Sequence, residues 1–290
     1  MNLDRRDFLK MMGCGVAAAA IQPHVMKPAF AETSADSMAM LFDATRCIGC
    51  RKCQVACHDL RSSVDPDAET DVLEGNPMVL SASTWTLIKL YQDPQDNTTY
   101  SFLKAQCMHC VHPACASACP VGALEKTPEG PVIYHRELCI GCRYCMVACP
   151  FDIPKYQWSK VLPLVRKCDF CADRQKEGLP PHCVEACKIG ALVYGTRSDL
   201  LAEAHERIRQ DKAKYVNHVY GEYEAGGTSA LYLSGVSFDK LGLPDLDAQS
   251  LPDLTKPWLS SVPGIIVGVG GLMSVLTWFN RRRSQGKKEE

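Results

Sequence analysis

Cys47-Ile-Gly-Cys50-Arg-Lys-Cys53-Gln-Val-Ala-Cys57 decides the reading of this chain, because Cys139-Ile-Gly-Cys142-Arg-Tyr-Cys145-Met-Val-Ala-Cys149 repeats its C-x2-C-x2-C-x3-C spacing. Two further sets carry the same outer gaps. Cys107, Cys110, Cys115 and Cys119 widen the middle gap to four residues, and Cys168, Cys171, Cys183 and Cys187 widen it to eleven. Residues added in the middle can bulge outward without moving the cysteine pairs on either side, so all four sets read as copies of one module. They take up 16 of the 17 cysteines. The last, Cys14, lies within an N-terminal apolar run and reads as a spare apolar residue; Met11-Met12-Gly13 before it fits a lipidation site poorly.

The unwidened spacing matches the run that holds [4Fe-4S] clusters in bacterial ferredoxins. Three thiolates on a tight loop must converge on one cubane while backbone amides turn toward its sulfides. That requires short gaps and a residue without a side chain at the closest approach, which Gly49 and Gly141 supply. The fourth cysteine lies about one helical turn further on and ligates the other cluster of a pair. Disulfides would suit an exported chain, yet two residues between cysteines make a poor bridge and a good chelate. Structural zinc wants two C-x-x-C pairs per site, and covalent haem needs a CxxCH that is absent here. A Rieske centre is disfavoured although His109 and His112 each follow a cysteine by two residues, since the thiolates are already allocated. His58, His109, His112 and His182 are read as groups around the clusters or on the surface.

Repetition extends beyond the cysteines. Cys119-Pro-Val-Gly-Ala-Leu124 is echoed by Cys187-Lys-Ile-Gly-Ala-Leu192, each running into a short apolar strand, and Pro131-Val-Ile-Tyr134 is a strand leading into the third set. The expected class is α+β, with two ferredoxin-like two-cluster domains, one inserted in the other, then a C-terminal extension and one transmembrane helix. Sets two and three, separated by Pro120 to Leu138, form the inner unit at about 100–155; sets one and four form the outer one within 32–197. A strand is predicted at Thr84 to Tyr91. Thr196 or Ser198 should cap a helix carrying Leu200, Leu201, Ala204 and Ile208 on one side. Residues 198–256 are taken as this helix, a tyrosine-rich stretch and a proline-containing extended strap from Leu241 to Lys256.

Both ends read as targeting and anchoring segments. Arg5-Arg6, an apolar stretch from Met11 to Ile21 and Ala29-Phe30-Ala31 make residues 1–31 a twin-arginine signal peptide. Trp258 to Phe279 holds no charged residue, and at 1.5 Å per residue it spans about 33 Å, enough to cross a bilayer. The membrane helix is placed at 257–280, with Trp258 and Trp278 at its edges. Arg281, Arg282, Arg283, Lys287 and Lys288 put the 281–290 tail in the cytoplasm and the cluster domain in the periplasm. Gly264 and Gly268 offer a face for a second helix. The formal charge of −1 conceals +2 on the leader and +3 on the tail, leaving −6 on residues 32–280 and disfavouring a nucleic-acid partner.

Cys47 to Cys57, Cys107-Met-His-Cys110, Cys139 to Phe151 and Lys167-Cys-Asp-Phe-Cys171 together resemble the four-cluster electron-transfer subunits of respiratory oxidoreductases. The hydrogenase-type subunit of quinone-linked [NiFe] enzymes is the nearer, since that group carries its own twin-arginine leader. Gly221-Glu-Tyr-Glu-Ala-Gly-Gly-Thr228 and Gly235-Val-Ser-Phe238 also resemble it. Formate dehydrogenase subunits, and those of polysulfide, thiosulfate and sulfite reductases, share the cysteine pattern. Carried over by position, the resemblance implies one cluster on Cys47, Cys50, Cys53 and Cys187, and a second on Cys57, Cys168, Cys171 and Cys183. It implies a third on Cys107, Cys110, Cys115 and Cys149, and a fourth on Cys119, Cys139, Cys142 and Cys145. His58 and Lys188 stand where many such halves have proline, a departure that touches the turn and leaves ligation intact.

The function expected is outer-sphere electron transfer through four [4Fe-4S] clusters, from a periplasmic catalytic subunit to an integral-membrane quinone-reactive subunit, with no catalytic residue on this chain. Buried dianionic clusters call for nearby cations, for which Arg46, Arg51, Lys52, Arg143 and Lys167 are the candidates. The competing readings are a molybdenum or tungsten formate dehydrogenase, a sulfur-compound reductase, and a metal-stapled scaffold of a membrane complex. A self-contained redox enzyme finds no support, because no Rossmann fingerprint occurs and the glycines at 268–271 lie in the apolar span.

Overall fold

In the computed structural model, residues 37–64, 79–161 and 163–286 are described. The leader with Ala29-Phe30-Ala31 and Cys14, and the tail residues Lys287 and Lys288, lie outside the described residues.

Ser37 leads into β1 (Met38–Asp43), whose sequence Met-Ala-Met-Leu-Phe is apolar on both faces, as a strand buried on both sides must be. Its alternate side chains enter two different cores. Ala39 and Leu41 pack with Leu200, Ala204, Ile208 and Leu231, while Met40 and Phe42 pack with Cys53, Met108, Phe170 and Cys183. Two strands flank β1, with β8 (Leu192–Thr196) antiparallel and β9 (Ala230–Leu233) parallel, giving the order β8-β1-β9. The strand that precedes the first cysteine set is thus paired with the strand that follows the fourth.

The same relation holds for the two middle sets. β4 (Leu124–Lys126) follows set two and pairs antiparallel with β5 (Val132–Tyr134), which precedes set three. Helices pack to match: α1 (Lys52–Val64) lies against α5 (His182–Glu185), and α2 (Ala114–Ser117) against α3 (Tyr144–Ala148). Beyond these units are a hairpin of β2 (Leu87–Gln92) and β3 (Tyr100–Ala105), the short pair β6 (Lys155–Tyr156) and β7 (Val165–Arg166), and α4 (Ala172–Lys176). The strand expected at Thr84 to Tyr91 therefore begins three residues later.

Thr196 is the cap of α6 (Arg197–Gln210), its hydroxyl accepting the Asp199 amide at 3.2 Å. Leu200, Ala204 and Ile208 recur every fourth residue and are buried against β1 and β9. The tyrosine-rich stretch is ordered by its hydroxyls: Tyr215 donates to Asp43 Oδ2, Tyr232 to the Lys104 carbonyl and Tyr220 to the Pro244 carbonyl. It also supplies β9, a strand the sequence reading did not include.

The extended strap ends earlier than expected. Residues 251–256 are already helical, because α7 runs unbroken from Leu251 to Gly286 with Pro257 and Pro263 inside it. Ser250 precedes it, its hydroxyl donating to the Asp253 carboxylate and its carbonyl accepting the Asp253 amide. A proline removes one helical donor; Ser260 and Ser261 donate to the carbonyls of Pro257 and Trp258 along this stretch. Leu251–Asn280 is the one helix among the described residues long and apolar enough to cross a membrane, and none of its apolar stretch is buried by the protein.

Candidate metal centres

Each cysteine loop turns through the left-handed region at the third position of its first C-x-x-C. Gly49 has φ 67° and Gly141 φ 72°, as the closest-approach argument requires, but the equivalent positions in sets two and four are His109 at 48° and Phe170 at 63°. A side chain there costs roughly 1–2 kcal/mol. In compensation the two rings stack on each other, centroids 4.7 Å apart and planes 17° apart, both almost fully buried. Left-handed residues in such loops aim successive N–H groups into one concavity, the arrangement that binds anionic clusters. Amides also reach sulfur directly, Ala123 to Cys119 at 3.2 Å and Phe170 to Cys168 at 3.3 Å.

All sixteen candidate cysteines are free thiols. Among the described residues no group of three or more His, Cys, Asp or Glu side chains closes around a single ion.

Electrostatic neighbours show which thiols face one another. Burial raises the Cys47 thiol, and Cys187 and Cys50 raise it further. Burial takes Cys53 up to about 11, with Cys183, Cys47 and Cys187 adding to the rise. Burial raises the half-buried Cys110 thiol, with Cys115, Cys107 and Cys149 beside it; Cys145, at about 11 through burial, has Cys119, Cys139 and Cys142. Half-buried Cys168 has Cys57 beside it, and Cys171, taken to about 12 chiefly by burial, has Cys183. Cys187, Cys149 and Cys119 therefore stand with thiols of another set. Neighbouring groups come close enough for their charges to interact at Cys53 and Cys183, Cys168 and Cys107, and Cys115 and Cys145.

Buried cations accompany these groups, and most are not the expected ones. Arg46 is exposed and pairs with Asp43 at 3.4 Å; Arg51 and Lys52 are exposed; Arg143 lies over the rings of Tyr156 and Trp158 at 5.6 and 5.1 Å. Only Lys167 of the five is buried, donating to the carbonyls of Val132 and Cys168 and facing Cys115. Lys104 and Lys126, which the sequence reading missed, are each 0% exposed. Lys126 donates to the carbonyls of His109 and Gly130 and to Ser229, with Cys110 and Cys107 nearby. Among the described residues none of the three lysines has a carboxylate partner. An unpaired buried ammonium is costly, so these residues fit sites filled by anionic groups.

His109 makes the same point. Its Nδ1 accepts the Val132 amide at 2.9 Å, and burial, reinforced by Lys167, Lys126 and Lys104, holds its pKa well below the ordinary value. The ring is neutral with its proton on Nε2, a buried donor that has no partner in the protein. A sulfide-rich cluster supplies an acceptor for such a donor. The other three histidines are peripheral: His182 contacts Arg174 at 3.3 Å, His112 is exposed and His58 half-buried.

A family model described as a 4Fe-4S dicluster domain matches residues 98–197. A Nitratidesulfovibrio vulgaris Hildenborough protein is 44% identical over 276 residues, 92% of this chain and 74% of that one. The Hydrogenase-2 operon protein HybA of Escherichia coli O157:H7 is 37% identical over 280 residues, covering 84% of this chain and 85% of HybA. The nitrate-inducible formate dehydrogenase iron-sulfur subunit of Escherichia coli K12 is 38% identical over 201 residues, covering 68% and 67%. The chain belongs to the family of [4Fe-4S] electron-transfer iron-sulfur subunits that includes these proteins.

Proposed function

We propose that this chain wires a periplasmic catalytic subunit, of the [NiFe] hydrogenase type, to an integral-membrane quinone-reactive subunit through four [4Fe-4S] clusters. When bound, each cluster supplies a one-electron carrier, and the chain's residues hold the carriers in line and offset their charge. The observation that carries the reading is the set of thiol neighbourhoods. They support ligation of one cluster by Cys47, Cys50, Cys53 and Cys187, of the next by Cys57, Cys168, Cys171 and Cys183, then by Cys107, Cys110, Cys115 and Cys149, and last by Cys119, Cys139, Cys142 and Cys145. The three close approaches between groups support that linear order. Pairing of β1 with β8 and of β4 with β5 supports an inner two-cluster unit inserted into an outer one.

The hydrogenase assignment rests on the longer match to HybA, 84% of this chain, against the shorter match to the formate dehydrogenase subunit, 68%. Export by the twin-arginine leader, a single membrane pass by α7 and a cytoplasmic tail follow from the paired arginines, the apolar unburied helix and the basic residues after it. Iron and acid-labile sulfide analysis of the purified complex tests the core of the reading. About sixteen irons per chain and four EPR-active centres are expected. Eight irons, or a colourless protein, would overturn it. Nickel in the co-purifying large subunit supports the hydrogenase partner, and molybdenum or tungsten there rejects it.

A further inference from the structure

Lys104 is the penultimate residue of β3, where strict alternation would turn it to solvent next to buried Leu103. Instead it is 0% exposed, because Tyr232 lies over this end of the strand and donates its hydroxyl to the Lys104 carbonyl at 2.9 Å. Its ammonium donates to Gln106 Oε1, and Gln106 is held in turn by a contact from its Nε2 to Met40 Sδ at 3.5 Å. No carboxylate reaches it among the described residues. Its titratable neighbours are Cys183, Cys53, Cys168 and Cys57, which belong to two different groups of thiols, and the adjoining Leu103 and Tyr232 share one core with Cys53 and Cys183. Lys126, by contrast, faces Cys110 and Cys107 of a single group.

We propose that Lys104 is a positioning residue shared by the first two clusters, a fixed buried charge that raises both reduction potentials together. The inference rests on the four-cluster reading and adds to it a coupling between two particular carriers. Reduction adds a negative charge to a buried anionic cluster, and a fixed cation beside it favours the reduced state. One ammonium between two clusters acts on both. A buried ammonium with no carboxylate partner is costly, and anionic clusters held by the two groups of thiols around it would offset that cost. The Gln106 contact and the Tyr232 hydroxyl fix where the charge stands, so its effect is built in before an electron arrives.

The experiment is an EPR-monitored redox titration of the membrane-bound complex carrying Lys104→Met, Lys104→Gln or Lys104→Arg, with Lys126→Met as the control. Cys50→Ser, Cys171→Ser, Cys110→Ser and Cys142→Ser each alter one cluster and so label the four signals. Both neutral Lys104 variants are expected to lower the first two potentials by at least tenfold in the oxidised-to-reduced ratio, 59 mV for one electron, and to leave the cluster of Cys139, Cys142 and Cys145 unmoved. Lys104→Arg should restore most of the shift. Lys126→Met should move the cluster of Cys107 and Cys110 instead. Unchanged potentials in fully loaded Lys104→Met, or a shift in only one of the two clusters, overturn the proposal. Failure of both neutral variants to load clusters, with Lys104→Arg loading all four, makes the ammonium an assembly requirement and also overturns it. Fewer than four signals in the unaltered protein would instead refute the four-cluster reading itself.

Discussion

Gly49 and Gly141 occupy equivalent positions in identical Cys-Ile-Gly-Cys loops, yet replacing each with alanine should give different outcomes. Both sit in the left-handed region, at φ 67° and 72°, so both substitutions carry the same strain of roughly 1–2 kcal/mol. For a chain of this size that lowers the melting temperature by about 2–8 °C. The surroundings then separate them. A Cβ at Gly49 would lie 2.4 Å from Phe102 Cε1, whereas one at Gly141 would lie 3.1 Å from the Tyr156 hydroxyl. The tyrosine tip can move a few tenths of an ångström. The Phe102 ring must retreat by about 1 Å from its place against the core, or push the Cys47 to Cys50 loop off its thiol geometry. Gly141→Ala is expected to keep the full iron content with a modestly lower melting temperature. Gly49→Ala should lose the EPR signal of the cluster that Cys47 helps to hold, and Gly49→Ala with Phe102→Leu should recover it. Equal iron loss in both single variants, or no recovery in the double variant, would refute the argument that Phe102 sets the tolerance of the first loop.

Crossed ligation is open to a direct check, since Cys187→Ser should disturb the signal of the Cys47 group and spare that of Cys168 and Cys171; the reverse pattern would break the assignment. Asp43 is fully buried and accepts from Arg207 Nη1 and the Tyr215 hydroxyl, each at 2.9 Å. Asp43→Ala should therefore cost about 1–3 kcal/mol by leaving the Tyr215 hydroxyl and one arm of the guanidinium without their acceptor, while Glu203 still pairs with the other arm, read as an earlier midpoint in a denaturant titration. Cluster removal should depend on pH: burial takes Cys53, Cys145 and Cys149 to about 11 and Cys115 and Cys171 to about 12. Without iron these thiols are protonated at neutral pH, so loading releases protons and protons compete with iron. Iron extraction by a chelator should accelerate steadily as pH falls from about 9 to 6, and a flat rate would contradict this. Stopping the chain before α7, at Ser250, should leave a protein with all its clusters that no longer sediments with membranes; persistent membrane attachment would remove the anchoring role of the helix.

Much of this protein was legible without coordinates because its chemistry is local. Short gaps between cysteines are a chelate in themselves, and an unbroken apolar run of this length reads as a candidate membrane span whatever it is attached to. The expected strands after Cys119 and Cys187, the strand before Cys139 and the α6 cap at Thr196 all rest on neighbours a few residues apart, and all are present. Glycine at the closest approach held for Gly49 and Gly141 for the same reason. It failed for His109 and Phe170, since each makes the other's strained backbone tolerable across a separation no local pattern spans.

The cations show the division most sharply. Proximity in sequence pointed to Arg46, Arg51, Lys52 and Arg143 beside the cysteines, but their long side chains reach solvent, carboxylates or aromatic rings. Lys104 and Lys126 lie on strands that read as alternating, and they become interior charges only when Tyr232, Ser229 and the cysteine loops close over them. By itself, then, the sequence determined the number and spacing of the cysteine loops, the capped helix and the apolar span, because each depends on spacing along the chain. Tertiary structure alone decided which thiols face one another, where β9 joins the sheet and which lysines are buried among the cysteines. Those depend on contacts between distant segments, whose geometry is settled only when the whole core has packed.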